Sequence, residues 1–388
     1  MSVSYRMRIL VGLLNMTKPL FGGGAKALMD WLMDLHSLNY EICILNINEK
    51  IIRYEHEFPF EFIHLREDNK ISDVKLELIQ HTMKIIAKKP PYDFYIGCGD
   101  GAGWKGEEKS LAVYMKESYP NIKTINLIWD LHTLYEKESD CDMYLHGAPY
   151  ELIKHPKTLP LEKKRTYLIP KQNSYNPIYR LDFEDWKQRP YDFVFNNPSI
   201  YKGSPLVINL ALNLPNKKFL VKKGTWAIWG VYEWYNKWIE IMENIPNIDI
   251  IDTVEDMENE FFRKGRYLLY PSVSEGFGLM PLEAAIQGTI PICADTEILR
   301  FSSSPFSVFV YSDAYTCNPI SITDGWSGGI DKIDWMQATK DWIEVINRLE
   351  NNLNYTKSIY DNMEYVEEVV RMRYKRQLLQ FIKDIESF

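Results

Sequence analysis

Arg266-Tyr-Leu-Leu-Tyr-Pro-Ser272-Val-Ser-Glu275-Gly-Phe-Gly278-Leu-Met-Pro-Leu-Glu283-Ala-Ala-Ile-Gln-Gly288 is the stretch whose reading decides the fold. The apolar run Arg266–Ser272 predicts a strand, and Gly276-Phe277-Gly278 a turn. From Leu279 the period becomes helical, with Leu279, Leu282, Ala285 and Ile286 on one face. Gly288 and Pro291 stop that helix, and a second strand follows over Ile290–Asp295. A helix N-terminus carries unpaired N–H groups and a positive dipole end, so it suits an anionic group such as a diphosphate. Glycines let that group approach the backbone. Glu283 lies one turn into the helix, where a carboxylate can accept two hydrogen bonds from a vicinal diol. Glu275 lies in the loop, where it can meet a polar ligand. Each glutamate alone also has a bland reading, since Glu in a first helical turn commonly serves only the dipole.

Working outward, the same switching of period recurs on both sides. Strands are expected at Met7–Leu14, Glu41–Ile47, Glu61–Leu65, Asp93–Gly99, Thr124–Asp130, Cys141–Gly147 and Thr166–Pro170. Helices are expected at Ala25–His36, Val74–Ala87 and Glu107–Ser118. After a polar stretch, Lys171–Pro190, a second series has strands Tyr191–Asn197, Lys218–Lys222, Ile248–Val254, Arg266–Ser272, Ile290–Asp295 and Ser307–Tyr311. Helices Ser204–Asn213, Glu233–Glu243 and Asp256–Arg263 lie among them. Strand and helix periods in alternation are the mark of βαβ units and a largely parallel sheet. The tail from Tyr355 to Ile385 reads as one long helix. Tyr365, Val366, Val369, Val370 and Tyr374 form one apolar face, and Leu378, Leu379 and Ile382 another. Ser302–Ile333 is rich in Ser, Gly, Asp and Pro and reads largely as loop.

The bulk properties narrow the function classes. A chain of 388 residues with 46% apolar and 25% charged residues is globular and long enough for two cores. A net charge of −8 disfavours a nucleic-acid partner, which calls for a basic balance. Aromatic residues reach 14%, and aromatic faces stack on sugars as well as filling cores. Cys43, Cys98, Cys141, Cys293 and Cys317 are scattered, odd in number and without a C-x-x-C pair. They read as reduced thiols of a cytoplasmic protein. Ile9–Leu14 is too short for a signal peptide, and no apolar run is long enough to span a membrane.

The ordered combination of strand, Glu275, glycine turn, helix and Glu283 resembles the E-x7-E signature of the GT4 family of retaining glycosyltransferases. That resemblance covers the second series well and the first loosely. It implies a GT-B fold: two Rossmann-like α/β domains facing each other across a cleft, with the C-terminal helix crossing back to the first. The boundaries it suggests are 1–185 for an acceptor domain, 186–365 for a nucleotide-sugar donor domain and 366–388 for the returning helix. The activity implied is transfer of a hexose from a nucleotide diphosphate sugar to an acceptor hydroxyl, with retention of configuration. The acceptor would be a glycan, a lipid-linked glycan or a glycoprotein. No cofactor is expected beyond the donor. The expected setting is the cytoplasm, with peripheral association at the inner membrane face left open.

The resemblance also assigns residues. Lys202 and Gly203 open the helix after Tyr191–Asn197 and match the family's Lys-Gly, which faces the diphosphate. The family's arginine is replaced by Asn197, which removes one cation from the transition-state clamp. Lys222 and Lys223 are spare cations at the next strand end. The turn Gly276, Phe277, Gly278, Leu279 would serve the diphosphate and sugar hydroxyls, and Glu283 the ribose. Gly23 and Gly24, in Phe21-Gly-Gly-Gly-Ala-Lys26, match a Gly-Gly turn near the donor phosphate. His132, after the strand ending at Asp130, matches a histidine that contacts the donor sugar. Lys202, Glu275 and His132 are the catalytic candidates. The glycines and Trp104 of Gly97–Trp104 suit either an acceptor pocket or a plain turn.

Other chemistries fit less well. Neither G-x-G-x-x-G with its acidic partner nor the P-loop pattern is present. The histidines show no ligand spacing, and Asp140-Cys-Asp142 resembles a metal-binding D-x-D only superficially, so no metal is expected. Two alternatives stay open: a nucleotide-sugar epimerase on the same fold, and a catalytically weak or silent nucleotide-sugar- or carbohydrate-binding protein.

Overall fold

The computed structural model describes residues 7–13, 23–46, 58–64, 82–98, 111–128, 141–147, 164–168, 179–224, 233–252, 254, 256–273, 275, 277–316 and 333–387. The chain divides into two compact units. The first is Met1–Lys171 with Arg373–Phe388, and the second is Gln172–Met372.

The first unit carries a seven-stranded sheet of β1 (Met7–Leu13), β2 (Tyr40–Asn46), β3 (Glu61–His64), β4 (Phe94–Cys98), β5 (Lys123–Ile128), β6 (Met143–His146) and β7 (Lys164–Tyr167). Its order is β3-β2-β1-β4-β5-β6-β7 and every pairing is parallel. Helices α1 (Gly23–Ser37) and α2 (Leu111–Ser118) are described with it. Strands covered on both faces need continuous apolar runs. Ile9, Leu10 and Val11 of β1 and Ile42, Cys43, Ile44 and Leu45 of β2 are accordingly all buried.

The second unit holds β8 (Tyr191–Asn196), β9 (Phe219–Lys222), β10 (Ile248–Ile251), β11 (Gly265–Tyr270), β12 (Ile290–Ala294) and β13 (Val308–Val310). This six-stranded sheet is also wholly parallel, in the order β10-β9-β8-β11-β12-β13. Its helices are α3 (Phe183–Lys187), α4 (Ser204–Asn213), α5 (Glu233–Glu243), α6 (Met257–Glu260), α7 (Leu279–Ile286), α8 (Glu297–Ser303), α9 (Asp313–Thr316), α10 (Trp335–Asn351) and α11 (Leu353–Asn362). In such a sheet the connections run outward in opposite directions from β8 and β11. A crevice opens at the strand C-termini where the order reverses. The residues that follow β8 and β11 are therefore the ones the topology brings together.

The division falls at Lys171 because the segment after it packs on the second unit. Tyr179 N–H donates to Ile286 O (3.0 Å), and Leu181 pairs through both backbone groups with the Tyr360 hydroxyl. Trp186 is fully buried, edge-on to Tyr267 of β11. The buried Arg189 guanidinium donates to Gly265 O, Thr289 Oγ1 and Gln287 O.

Two helices expected as continuous are broken. Asp256–Arg263 is α6 followed by a separate 3-10 turn, Phe262–Lys264. The terminal helix is α11, a 3-10 turn at Met363–Tyr365, and then α12 (Val366–Glu386). The tighter turn re-phases the apolar face. Val366, Val370 and Tyr374 are buried as expected, while Tyr365 (53%) and Leu379 (52%) stand exposed. From Arg373 onward α12 belongs to the first unit: Tyr374 donates to Asp34 (2.6 Å), and Glu386 accepts from Tyr40 (2.8 Å). Among the described residues no helix is long and apolar enough to cross a membrane.

Candidate functional site

The loops after β8 and β11 are stitched to each other. Val273 N–H donates to Tyr201 O (3.1 Å), and Ser272 Oγ donates to the same carbonyl (3.4 Å). Gly203 makes this possible. It takes φ +80° at the start of α4, and a Cβ there would lie 2.7 Å from Pro271 Cγ and 2.8 Å from Pro271 O. Gly278 plays the matching part before α7, with φ +81° and space filled by Leu299. Neither helix has a side-chain N-cap. At α4 the leading N–H groups are already engaged, Ser204 N–H on Ser199 O (3.1 Å) and Leu206 N–H on Gly203 O (3.0 Å), and Pro205 has none, whereas no side chain caps those of α7.

Lys202 and Glu275, far apart in sequence, meet here. The Lys202 ammonium pairs with Glu275 Oε1, and the Tyr270 hydroxyl donates to the same oxygen (2.6 Å). The ammonium also lies 5.6 Å from the centre of the Tyr270 ring. Burial pushes the Tyr270 hydroxyl pKa well up, and the charges of Glu275 and, more weakly, Glu283 add to it. Tyr270 therefore stays a neutral donor to Glu275. Glu283 is half-buried on α7.

Asn197 follows β8 directly and lies in the left-handed region, φ +60°, with its N–H donating to Lys222 O (3.0 Å). Asn tolerates that conformation far better than a long or branched side chain, so the residue fits its backbone. Its Oδ1 is buried without a hydrogen-bond partner among the described residues. The neighbouring Asn196 donates through Nδ2 to Met280 Sδ (2.9 Å), which joins the end of β8 to the first turn of α7.

The two spare cations behave differently. Lys223 turns to carboxylates, Asp252 at 3.1 Å and Glu243 at 3.9 Å. Lys222 is buried, and its ammonium donates to Lys223 O (2.9 Å). Burial draws its pKa down to about 8.

Of the other sequence candidates, Phe277 is buried edge-on to Phe301, as a core residue holding the turn. Leu279 is half-buried at the start of α7. Gly23 and Gly24 open α1 in the first unit. His132 and Gly276 lie outside the described residues, as do Trp104, Asp130 and Asp140. Asp142 pairs with Lys116 and accepts from Thr124 N (2.9 Å) and Oγ1 (3.1 Å), so it ties β5 to β6. No group of three or more potential metal ligands occurs among the described residues. Tyr270, Asn196 and Met280 were not singled out from the sequence. A tyrosine closing an apolar strand just before the glutamate loop was the available signal for the first.

No family model matches the chain, and no curated protein matches it in sequence. Solved structures do match. Sucrose-phosphate synthase from Thermosynechococcus elongatus has TM-score 0.69 at 13% identity, covering 98% of this chain and 99% of its own. HepE of Anabaena, in complex with UDP and glucose, has TM-score 0.64 at 11% identity, covering 98% and 100%. The pneumococcal O-GlcNAc transferase GtfA, in complex with UDP and GlcNAc, has TM-score 0.61 at 11% identity, covering 98% and 99%. These neighbours are GT-B glycosyltransferases, and the match runs through both units. The chain has the GT-B fold. Each Rossmann-like sheet described above corresponds to one half of that fold, and α12 is the helix that returns to the first half.

Proposed function

We propose that the protein is a GT4-type glycosyltransferase that moves a hexose from a nucleoside diphosphate sugar to an acceptor hydroxyl with retention of configuration. One observation carries the reading: at the β8/β11 switch point, the N-terminus of α7, with no side-chain cap, begins beside a half-buried Lys202–Glu275 pair. Oriented N–H groups and an ammonium are what a departing diphosphate requires, because negative charge grows on it as the glycosidic bond breaks. In this reading Lys202 and the Gly276–Leu279 turn hold the diphosphate. Glu275, oriented by Tyr270, accepts from hydroxyls of the donor sugar, and Glu283 accepts from the ribose. The α7 N-terminus and Lys202 together make a metal unnecessary. Glycan, lipid and protein acceptors all suit such chemistry, in the cytoplasm or at a membrane surface. The UDP complexes of HepE and GtfA make a uridine donor the first to try.

Asn197 favours a second reading, a nucleotide-sugar-binding protein with little or no turnover, since the transition-state clamp there lacks its arginine. Incubation with labelled UDP-glucose, GDP-mannose, ADP-glucose and dTDP-glucose separates the two. Release of nucleoside diphosphate, undiminished by EDTA, supports the transferase. Binding without release supports the silent protein, and turnover restored only by Mg²⁺ or Mn²⁺ rejects the metal-free scheme.

A further inference from the structure

We propose that Lys222 is the second cation of the diphosphate site, supplying the charge that position 197 does not. The proposal rests on the reading of the second unit as a nucleoside diphosphate site.

Lys222 is the last residue of β9 and stands level with Asn196 of β8. Level residues on paired parallel strands present their side chains to the same face of the sheet. Asn196 reaches Met280 in the first turn of α7, so Lys222 belongs to the face that the α7 N-terminus borders. The two strand ends are fastened by the Asn197 N–H to Lys222 O bond.

The surroundings of the ammonium are poor. Lys222 is 7% exposed, and among the described residues its ammonium has one acceptor, the Lys223 carbonyl. An ammonium carries three donors, and a desolvated charge left with one neutral acceptor is costly. Arg189 is the instructive contrast. It is equally buried and lacks a carboxylate among its hydrogen-bond partners, yet three acceptors surround it within 2.9 Å. Arg189 keeps three acceptors on its two terminal nitrogens, with only its Nε lacking a partner among the described residues, whereas the Lys222 ammonium has one acceptor in all.

The charge balance points the same way. Lys202 and Glu275 cancel as a pair, and Lys223 is turned to Asp252 and Glu243. Among these described side chains at the ends of β8, β9 and β11, Lys222 is the cation that no carboxylate neutralises. A dianionic diphosphate at the α7 N-terminus would supply the missing acceptors. The lysine in turn removes a net charge that Lys202 alone, shared with Glu275, does not.

Calorimetry on the full chain tests this, with UDP and inorganic pyrophosphate as probes, on wild type, Lys222→Met and Lys222→Gln. Loss of one charge-assisted contact should weaken UDP by about tenfold or more. Pyrophosphate should lose a similar factor, because the contact is to phosphate and not to the base. Both variants remove a buried charge, so their melting temperatures without ligand should be equal to or above wild type. If one fails to fold, the other carries the comparison. A folded variant that binds UDP within about twofold of wild type overturns the role of Lys222 and leaves the site reading standing. Wild type that binds none of UDP, GDP, ADP and dTDP overturns the site reading, and Lys222 with it.

Discussion

Replacing Lys222 with methionine should stabilise the ligand-free protein, and the gain should fade as pH rises. Burial lowers the lysine pKa from 10.5 to about 8. Each pKa unit is worth 1.36 kcal/mol, so the charged lysine costs the folded state about 3 kcal/mol at neutral pH. The sign follows from proton counting. The unfolded chain holds the lysine proton up to about 10.5, while the folded chain releases it near 8. Between those values the unfolded state binds more protons, and wild-type stability rises with pH relative to the variant. The residues level with Lys222 on the flanking strands, Asn196 and Ile251, do not titrate and leave this window to the lysine. Buried tyrosines such as Tyr270 and Tyr267 have raised pKa values, and they destabilise both proteins alike at the alkaline end. Their effect cancels in the difference. For a unit of this size 3 kcal/mol corresponds to roughly 6–12 °C in melting temperature. Calorimetric melts of both proteins at pH 7, 8, 9, 10 and 10.5 measure it. The gap should be full at pH 7 and small at pH 10.5. A gap that is absent at pH 7, or constant across the series, refutes the claim that Lys222 is a desolvated cation.

Three other substitutions probe the site. Glu283→Ala should weaken nucleoside diphosphate binding by roughly 1.5–3 kcal/mol, the loss of charge-assisted bonds to a diol; unchanged calorimetric affinity in a folded mutant removes Glu283 from the site. Gly203→Ala forces a Cβ to within 2.8 Å of the Pro271 carbonyl at φ +80°. It should lower the melting temperature and weaken UDP binding, because the α4 N-terminus must shift; a protein that melts and binds like wild type contradicts the stitched-loop geometry. Asn197→Arg should raise turnover by restoring a paired phosphate donor. The left-handed backbone there charges it about 1–2 kcal/mol in stability. Steady-state kinetics beside a melt separates the two effects, and equal or lower turnover in a folded mutant means the site is built around Asn197.

The sequence by itself determined the sheets. Runs such as Phe193-Val-Phe195, Leu268-Leu269 and Ile290–Ala294 are apolar because strands covered on both faces must be, and all are buried. It also determined where the two turns lie, since Gly203 and Gly278 sit at positions with positive φ before helices. What it left open depends on contacts between distant segments. That Lys202 spends its charge on Glu275, with Tyr270 as the third partner, follows from β8 and β11 lying side by side. Lys222 and Lys223 are identical neighbours in sequence, and only the third dimension buries one and turns the other to Asp252. Phe277 lies in the turn between the two glutamates, and only the tertiary structure sets its ring edge-on to Phe301. The terminal helix shows the same limit, because the 3-10 turn at Met363–Tyr365 re-phases its apolar face and puts Tyr365 in solvent. Periodicity is a local property that short-range sterics and burial write into the chain. Charge pairing and desolvation are set by which strand ends the topology makes neighbours, and no window of sequence contains that.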